Sequence, residues 1–148
     1  MKRTTRRGIV IEKGTQDFEA ALLGTSFNAQ DPGRRPDRIV QANDVEEVIA
    51  AVRRAREEGW TIGICSGGHS WAQNHIRDSG ILLDLSRLNS ITIDSDDGTA
   101  IIGPGCLAGE LNAALVFQPN FPPHNSSCRA TVNADDAIPS DSHDRANS

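Results

Sequence analysis

A strongly patterned helix followed at once by an apolar run limits the possible folds of this chain more than any other feature. Asn43 is a good helix N-cap, Glu46 stands three residues later as in a capping box, and Gly59 follows the last helical residue. Thr61–Cys65 has the character of a buried strand. Together these segments predict a β-α-β unit. The apolar side of the helix is expected to carry Val45, Val48, Ile49, Val52 and Ala55.

Shorter patterns fill in the elements around this unit. A loop of polar character is expected between the predicted strands at Thr61–Cys65 and Ile81–Asp84. A hairpin turn is expected at Ser95–Gly98, because glycine and aspartate favour such turns between two apolar runs. The remaining predicted elements are a helix at Thr15–Leu23, strands at Ile39–Val40, Ile91–Asp94 and Thr99–Ile102, and a helix at Leu107–Leu115.

Composition and length narrow the range of partners. The chain has 148 residues, which is the size of one ordinary domain. Its formal charge of −5 and its 4% of aromatic residues argue against nucleic acid as a ligand. No apolar run reaches the roughly 18 residues needed to span a bilayer, so no membrane association is expected. Three cysteines without a signal peptide indicate reduced thiols and a cytoplasmic setting.

The amino end is basic, and Thr5–Arg7 is similar to the start of a twin-arginine export signal. Such a signal needs a long apolar stretch after the arginines, whereas Gly8–Ile11 runs directly into Glu12 and Lys13. We therefore expect a solvated, frayed tail at this end of the chain.

The segment Ser66–Ser70, with the sequence Ser-Gly-Gly-His-Ser, follows a predicted strand directly. Paired glycines let the backbone approach a ligand closely, and successive N–H groups in such a bend form a concave site for anions. A pyrophosphate fits this description, with the hydroxyls of Ser66 and Ser70 as further donors. The alternative is a tight turn that uses Gly67 and Gly68 for geometry only, and the motif alone leaves both open.

The wider context of this motif resembles a flavoprotein family. Ser66–Ser70 after a strand, Asp84–Ser86, a hairpin and then Gly103–Cys106 are similar to the FAD-binding PCMH-type domain of the vanillyl-alcohol oxidase and para-cresol methylhydroxylase family. The likeness is greatest to its berberine-bridge-enzyme-like branch of FAD-linked oxidases. Arg35–Asp37 resembles the entry into that domain. The resemblance covers roughly Arg35 to Leu115 and implies an α+β fold, the first lobe of a two-lobed domain, with a small mixed sheet and packed helices.

The resemblance also implies a site. Ser66, Gly67, Gly68 and Ser70 would hold the FAD pyrophosphate, and His69 would be the covalent flavin anchor, joined through a ring nitrogen to the 8α-methyl group. Neutral imidazole is a suitable nucleophile for that bond. The resemblance further implies that Gly103, Pro104 and Gly105 make a second backbone approach to the cofactor. The implied activity is that of an FAD-dependent oxidase, which transfers hydride from a substrate to the flavin.

Two departures from the family limit what is expected of this chain. Cys65 stands where the family most often has a basic residue, so one charge partner for the phosphates is missing. Phe121–His124 begins like the next family element but then diverges, and Cys128 lacks the context of a second covalent link. A truncated or frameshifted product is therefore the hypothesis, inactive by itself and dependent on its missing C-terminal half or on a complementary chain. The sequence favours a remnant without flavin over a split enzyme, because the tail has no apolar face to dock a partner.

The expected organisation has three parts: residues 1–34, an N-terminal extension with one short helix; residues 35–117, the N-terminal lobe of the FAD-binding domain; and residues 118–148, a disordered, divergent tail. No metal site is expected, because the cysteine and histidine spacings match no zinc signature. Asp94–Gly98 lacks the ligand pattern of a calcium loop and is expected to be a turn. His75 could face the flavin or the solvent, and the sequence does not separate these alternatives.

Overall fold

The computed structural model describes residues 7–116, and within that range the predicted β-α-β unit is present. The strands are β1 (Ile9–Glu12), β2 (Arg38–Gln41), β3 (Ile62–Cys65), β4 (Ile81–Asp84), β5 (Ile91–Asp94) and β6 (Thr99–Ile102). The helices are α1 (Phe18–Gly24), α2 (Val45–Glu58) and α3 (Ala108–Val116). The expectations for the tail, including Phe121–His124 and Cys128, lie outside the described residues.

The main sheet has four strands in the order β1-β2-β4-β3, and β5 and β6 form a separate antiparallel hairpin. β2, β4 and β3 run parallel, while β1 pairs with β2 in the antiparallel direction. All four residues of β4 are buried, since this strand lies between two others and is covered on both faces. A small mixed sheet with packed helices is thus confirmed.

One helix packs on each face of this sheet. On the first face, Phe18 and Leu22 of α1 pack against Ile39 and Leu82. On the second face, Ala51 and Ala55 of α2 pack against neighbours that include Val40, Ile81 and Leu83. These two clusters are the apolar core that fixes the sheet, and with it the edge of the sheet at which the strands end.

The ends of α2 are capped as in a stable helix, but one residue later than the sequence predicts. Asp44, not Asn43, is the N-cap, and its Oδ1 accepts a hydrogen bond from the backbone N–H of Glu47 at 2.9 Å. Glu47, not Glu46, returns its side chain, and Oε2 accepts from the N–H of Asn43 at 2.8 Å. Gly59 ends the helix in the left-handed conformation, with φ at 68°.

The buried stripe of α2 matches the predicted one only in part: Ala55 is buried and Val48 packs against the core, as predicted. Val45 and Val52 are 55% and 45% exposed, whereas Ala51 and Ala55 are buried. The small alanine side chains allow the helix backbone to approach the sheet closely, so the contact is centred on them. The two valines lie at the margins of the contact and stay in solvent.

The prediction of a frayed amino-terminal tail is wrong for Ile9–Glu12. These residues form β1 and pair with β2 in the register Ile9 with Gln41 and Glu12 with Arg38. An ion pair of 2.7 Å between Arg38 and Glu12 adds to the backbone ladder. The predicted boundary between residues 34 and 35 stays a prediction, although both β1 and α1 pack on the strands that follow it.

The hairpin of β5 and β6 has the predicted turn. Asp94 Oδ1 accepts hydrogen bonds from the N–H groups of Asp96 and Asp97 at 3.0 and 3.2 Å, which is a turn held by its own aspartate. Gly98 follows with φ at 64°. Within residues 7–116, no helix has both the length and the apolar character to cross a membrane.

Candidate functional site

The Ser66–Ser70 turn begins directly after β3, at the edge where the parallel strands of the main sheet end. Ligands of open α/β sheets bind outside the carboxyl ends of parallel strands, because the loops that follow the strands converge there. The turn therefore lies at the edge of the sheet where a ligand site is expected. Ser66, Gly67, Gly68 and Ser70 are all half-buried, so they line the surface without belonging to the core.

The backbone N–H groups of this turn are free to bind a ligand. Within residues 7–116, none of the five N–H groups from Ser66 to Ser70 donates a hydrogen bond to another protein group. Gly68 has φ at 63°, a conformation that side-chain-bearing residues rarely adopt. A Cβ on Gly67 would lie 2.7 Å from Cδ2 of His69, so the imidazole folds back over the glycine.

The His69 side chain is exposed at this turn and rests against aromatic neighbours. Its ring stacks on Phe27 with a centroid separation of 6.4 Å and an interplanar angle of 29°. Trp71 packs edge-on against Phe27 at 4.7 Å and is itself 77% exposed. The imidazole is thus accessible to a ligand, with two aromatic rings beside it.

The glycines of the Gly103–Gly105 segment are required by protein packing. A Cβ on Gly103 would lie 1.9 Å from the carbonyl oxygen of Leu88, and one on Gly105 would lie 2.4 Å from that of Ser86. Their N–H groups donate to Ser90 and Leu88 at 2.8 and 3.0 Å, so both amides already have protein acceptors. Pro104 between them is exposed.

This second segment nevertheless leads to the turn. The start of α3 follows it, and Leu107 Cδ2 lies 3.7 Å from the position of a Cβ on Gly67. The structure therefore brings the two predicted glycine segments to the same edge of the sheet. The contact between them is made by a leucine side chain that the sequence did not single out.

A buried polar row lies beneath the turn, at the ends of the three parallel strands. Asp84 ends β4 and is paired in register with Gln41 of β2 and Cys65 of β3. Its Oδ2 accepts from Gln41 Nε2 at 3.2 Å, and its Oδ1 accepts from the N–H of Ser86 at 2.9 Å. These bonds satisfy a carboxyl group that is only 5% exposed.

Cys65 faces this row and the core, not the open turn. Burial, with the charge of Asp84 and a hydrogen bond to it, raises the pKa of the Cys65 thiol to about 12. A side chain at this position points toward Phe18, Leu22 and Leu82. The site where a family member has a basic residue is thus occupied here by a neutral thiol inside the protein.

The segment 25–35, which follows α1, holds the loop that contains the turn. Gly68 O accepts from the N–H of Phe27 at 3.1 Å. Arg34 donates to the carbonyl oxygens of Ala72 and Gln73 at 2.9 and 3.0 Å. Gln73 is buried and returns a hydrogen bond from Nε2 to Gln30 O at 2.9 Å. These contacts could not be predicted from the sequence, since their partners are about 40 residues apart.

His75 belongs to the same set of contacts and is half-buried beside the end of α1. Its Nε2 lies 3.3 Å from Ser26 Oγ and 3.4 Å from Thr25 Oγ1, and both of those residues are 6% exposed. Burial lowers the pKa of His75, and the charge of Arg34 acts in the same direction. The imidazole therefore fastens the loop to the end of α1.

Other parts of the described chain offer less. Among residues 7–116, no group of three or more His, Cys, Asp or Glu side chains could hold a metal ion. A cleft of about 610 Å³ lies between β1, β2 and α2, and its lining includes Arg38 and Arg54. It is on the side of the sheet covered by α2, away from the exposed imidazole. The Ser66–Ser70 turn is a better candidate than this cleft, because its backbone N–H groups suit the binding of an anion.

Comparison with known families identifies the domain that contains these residues. The family model described as FAD binding domain matches residues 36–134, which include the whole turn and the Gly103–Gly105 segment. The chain belongs to the FAD-binding domain family. The resemblance seen in the sequence is thereby confirmed. The chain contains the FAD-binding domain of the FAD-linked oxidoreductase family.

Relatives of this FAD-binding domain include characterised oxidases. The FAD-linked oxidoreductase nodO of Hypoxylon pulicicidum is 35% identical over 109 residues, which are 74% of this chain and 24% of that protein. Reticuline oxidase of Eschscholzia californica is 36% identical over 83 residues, covering 55% of this chain and 15% of that protein. The solved structure of 6-hydroxy-D-nicotine oxidase from Arthrobacter nicotinovorans superposes with a TM-score of 0.65 at 30% identity, over 78% of this chain and 25% of that one.

The FAD-binding domain described here therefore spans about a quarter or less of the length of these relatives. Its sheet and helices correspond to the first lobe of their flavin domain, which confirms the predicted fold. What those proteins do as wholes involves a much longer chain.

Proposed function

We propose that this chain binds FAD with the pyrophosphate on the Ser66–Ser70 turn and the isoalloxazine ring beside His69. The observation that carries the proposal is the run of five N–H groups without protein acceptors in residues 7–116, at the carboxyl end of β3. Such a run is a recognition site for a diphosphate. Gly67 and Gly68 present no side chain, and the hydroxyls of Ser66 and Ser70 add donors.

The second wall of this site is proposed to be the Gly103–Gly105 segment. Support comes from the contact of Leu107 with the turn, which places the segment before α3 at the same edge of the sheet. Because the N–H groups of Gly103 and Gly105 are already bonded within the protein, this segment would shape the site by its backbone and by Pro104. The turn would provide most of the hydrogen bonds.

His69 is proposed as the covalent anchor, on the basis of its exposure and its place in the motif. Attachment would form a bond between a ring nitrogen of His69 and the 8α-carbon of the flavin, replacing one N–H bond and one C–H bond. The two electrons and two protons released would pass through the flavin ring to dioxygen as hydrogen peroxide. A neutral imidazole can make this bond because its lone pair is available near neutral pH.

The parent activity is proposed to be that of an oxidoreductase in which bound FAD accepts hydride from a substrate. This chain would hold and orient the cofactor, while the longer relatives contain the rest of the catalytic apparatus. A site that encloses only part of its ligand loses much of its affinity. A separate chain of this length is therefore proposed to be inactive in turnover. The predicted division at residues 34 and 117 and the cytoplasmic setting remain part of this proposal.

The purified protein tests the cofactor assignment directly. We expect a yellow protein whose visible absorbance stays with the pellet after acid precipitation, and His69→Ala should release all of that flavin. His143→Ala is the matched control, since it removes a histidine distant in sequence, and it should keep the flavin attached. Flavin that stays attached to His69→Ala would refute the anchor. A colourless protein that takes up no added FAD would refute the proposed function.

A second candidate is a lobe that works with a separate polypeptide, and one observation favours it. Ile101 of β6, Leu107 just before α3 and Val116 at the end of α3 are 66%, 46% and 79% exposed, which is unusual for three large apolar side chains so close in the chain. A complementary chain could cover them and close the flavin site. A remnant that binds no flavin would show the same exposure, so FAD binding by the purified chain discriminates the two.

Turnover separates a fragment from a complete enzyme. FAD-loaded protein mixed with 6-hydroxynicotine, the compound named for one relative, should produce no hydrogen peroxide above the level of free FAD. Sustained peroxide production would contradict the proposed inactivity.

Sequencing the DNA beyond the codon for Ser148 is a separate test of the frameshift hypothesis. A glycine-rich flavin element in another frame would support a frameshift, and an intact single-frame gene would oppose it.

A further inference from the structure

The loop from Ser66 to Gly80 is fastened to residues that precede the family match. The match begins at residue 36, whereas the segment 25–35 makes the contacts described above to Gly68, Gln73 and His75. These contacts are spread along the loop, and each joins groups about 40 to 50 residues apart. A loop without regular secondary structure is thus held at several points by a second segment that also lacks it.

Two of these contacts are close enough to determine the shape of the turn. A Cβ on Gly68 would lie 2.3 Å from Thr25 O, and Gly68 O accepts from the N–H of Phe27. Thr25 is itself fixed, because its Oγ1 donates to Leu22 O at 2.7 Å in the last turn of α1. The position of Gly68 is therefore tied to a helix whose Leu22 is fully buried in the core.

His75 provides the second attachment, seven or eight residues beyond the glycines. Its imidazole reaches Ser26 Oγ and Thr25 Oγ1, and its carbonyl oxygen lies 1.9 Å from the position of a Cβ on Gly63. Gly63 lies in β3, directly before the turn. His75 thus bridges the strand that leads into the turn and the segment that follows α1.

We infer that His75 and Ser26 are positioning residues for the Ser66–Ser70 turn, which hold its backbone N–H groups in one arrangement. This inference rests on the proposed function only for its ligand. Without the attachment, the turn would sample open conformations, and the apparent affinity for a ligand falls by the fraction of the competent conformation. Ser26 precedes Phe27, whose N–H donates to Gly68, so the attachment acts on the turn through the backbone.

The first test uses the protein without added cofactor. We expect Ser26→Ala and His75→Gln to lower the {1H}-15N heteronuclear NOE of residues 66–70 and to speed amide exchange at Phe27, whose N–H donates to Gly68. Ser26→Thr keeps the hydroxyl and should restore both signals. Asn74→Ala, an exposed neighbour of His75, is the matched control and should change neither. Unchanged NOE values and exchange in both Ser26→Ala and His75→Gln would overturn the inference.

The second test measures FAD affinity by titration calorimetry in a His69→Ala background, where binding is reversible. We expect Ser26→Ala and His75→Gln to weaken binding about tenfold or more, as when the competent fraction falls to a tenth. Equal affinities with altered dynamics would overturn the positioning role. If no variant and no parent protein binds FAD, the proposed function fails, while the NOE comparison still decides whether the attachment exists.

A pH profile separates positioning from general destabilisation. The charged groups acting on His75 are Arg34, which disfavours its protonation, and Asp84, which favours it, and a hydrogen bond to the Thr25 backbone also favours it. Burial dominates, so protonation is easier when the loop is detached. The NOE of residues 66–70 should fall from pH 7 to pH 5 in the parent protein and stay flat in His75→Gln, which retains His69. Parallel profiles in both proteins would contradict the inference.

Discussion

Gly68 and the carbonyl oxygen of Thr25 are packed so closely that a Cβ on the glycine would lie 2.3 Å from that oxygen. The backbone at Gly68 is also left-handed, with φ at 63°. Two separate physical costs therefore oppose a side chain here, one from the backbone conformation and one from the contact. The two costs can be measured separately, because Gly33 has the same left-handed backbone with nothing near its Cβ position.

Gly68→Ala should therefore destabilise the protein more than Gly33→Ala. The left-handed conformation costs a non-glycine residue about 1 to 2 kcal/mol, which is all that Gly33→Ala should lose. Overpacking against Thr25 should add about 1 to 3 kcal/mol at Gly68. Urea unfolding monitored by circular dichroism measures both. Equal losses for the two variants would show that the turn and the segment after α1 are not in contact in solution.

The position of Glu47 in the first turn of α2 gives a prediction about acid stability. Its carboxylate accepts from the N–H groups of Asn43 and Gly8, and these bonds lower the pKa of Glu47 below its ordinary value of 4.5. A carboxyl group with a lowered pKa in the folded state stabilises the fold above its unfolded pKa, and this contribution is lost as the pH falls through the folded pKa.

Glu47→Gln should accordingly be less stable than the parent protein at pH 7, and the difference should shrink as the pH falls below about 4.5. Glu46→Gln is the control, because Glu46 is exposed in the same helical turn and makes none of these bonds. Urea titrations at pH 7, 5, 4 and 3 measure the free energy of unfolding of each protein. If Glu46→Gln lost more free energy of unfolding than Glu47→Gln, the capping carboxylate would be that of Glu46, as the sequence alone predicted.

Elements whose signals lie within a few neighbouring residues could be predicted from the sequence. The helix α2 is predicted by its apolar spacing and by the glycine that ends it. The β5–β6 hairpin is predicted by Asp94–Gly98, which lies between two apolar runs. The shift of the N-cap from Asn43 to Asp44 has a simple origin. Both residues are good N-caps, and each has a glutamate three residues later, so the pattern fits equally well at either position.

The order of strands could not be read in the same way. β4 lies between β2 and β3, although it follows both in the sequence, because the pairing is decided by which faces two helices can cover. β1 was missed because four residues with a charged end are too short a pattern to distinguish from a tail. Its strand form depends on pairing with β2, nearly 30 residues later.

The candidate site divides along the same line. Ser66–Ser70 could be found because its five residues are contiguous and follow a strand, and in the structure the imidazole of His69 is exposed. The supports of that turn could not be found, since the partners of His75, Thr25 and Ser26, are 50 and 49 residues away. Serine and threonine after a helix are common, and only the folded chain shows what they contact.

The two cysteines of the described part of the chain should differ sharply in reactivity. Cys65 is buried and its thiol has a pKa raised to about 12, whereas Cys106 is half-exposed. The thiolate is the reactive form, so burial and a high pKa both protect Cys65. In the native protein at pH 8, iodoacetamide should label Cys106 at least roughly a hundredfold faster than Cys65.

Peptide mapping by mass spectrometry follows each cysteine separately, including Cys128, which lies outside the described residues. Unfolding in urea is the control, because it should bring Cys65 to the rate of Cys106. Equal native rates would mean that the end of β3 is open to solvent, and that the row of Cys65, Asp84 and Gln41 does not form a closed base under the turn.

The helix before the family match should prove essential to the fold. Phe18 of α1 is 1% exposed and lies in the core cluster with Ile39 and Leu82, two residues of the parallel strands. Replacing a buried phenylalanine by alanine costs about 3 to 5 kcal/mol, because apolar contacts are lost and a cavity remains. Phe18→Ala should lose this amount, while Val52→Ala, at a side chain 45% exposed, should lose less than about 1 kcal/mol.

Thermal and urea unfolding measure whether Phe18→Ala destabilises the whole sheet or α1 alone. If α1 and the strands form one cooperative unit, a far-UV signal and tryptophan fluorescence should shift together in Phe18→Ala. The fluorescence is measured in a Trp71→Phe background, where Trp60, which contacts Arg38 of β2 beside the second face of the sheet, is the remaining tryptophan. An unchanged fluorescence transition would instead separate α1 from the sheet and support an independent N-terminal extension. Because α1 also anchors Thr25, a joint shift of the two signals would mean that the shape of the Ser66–Ser70 turn depends on residues that lie before the family match.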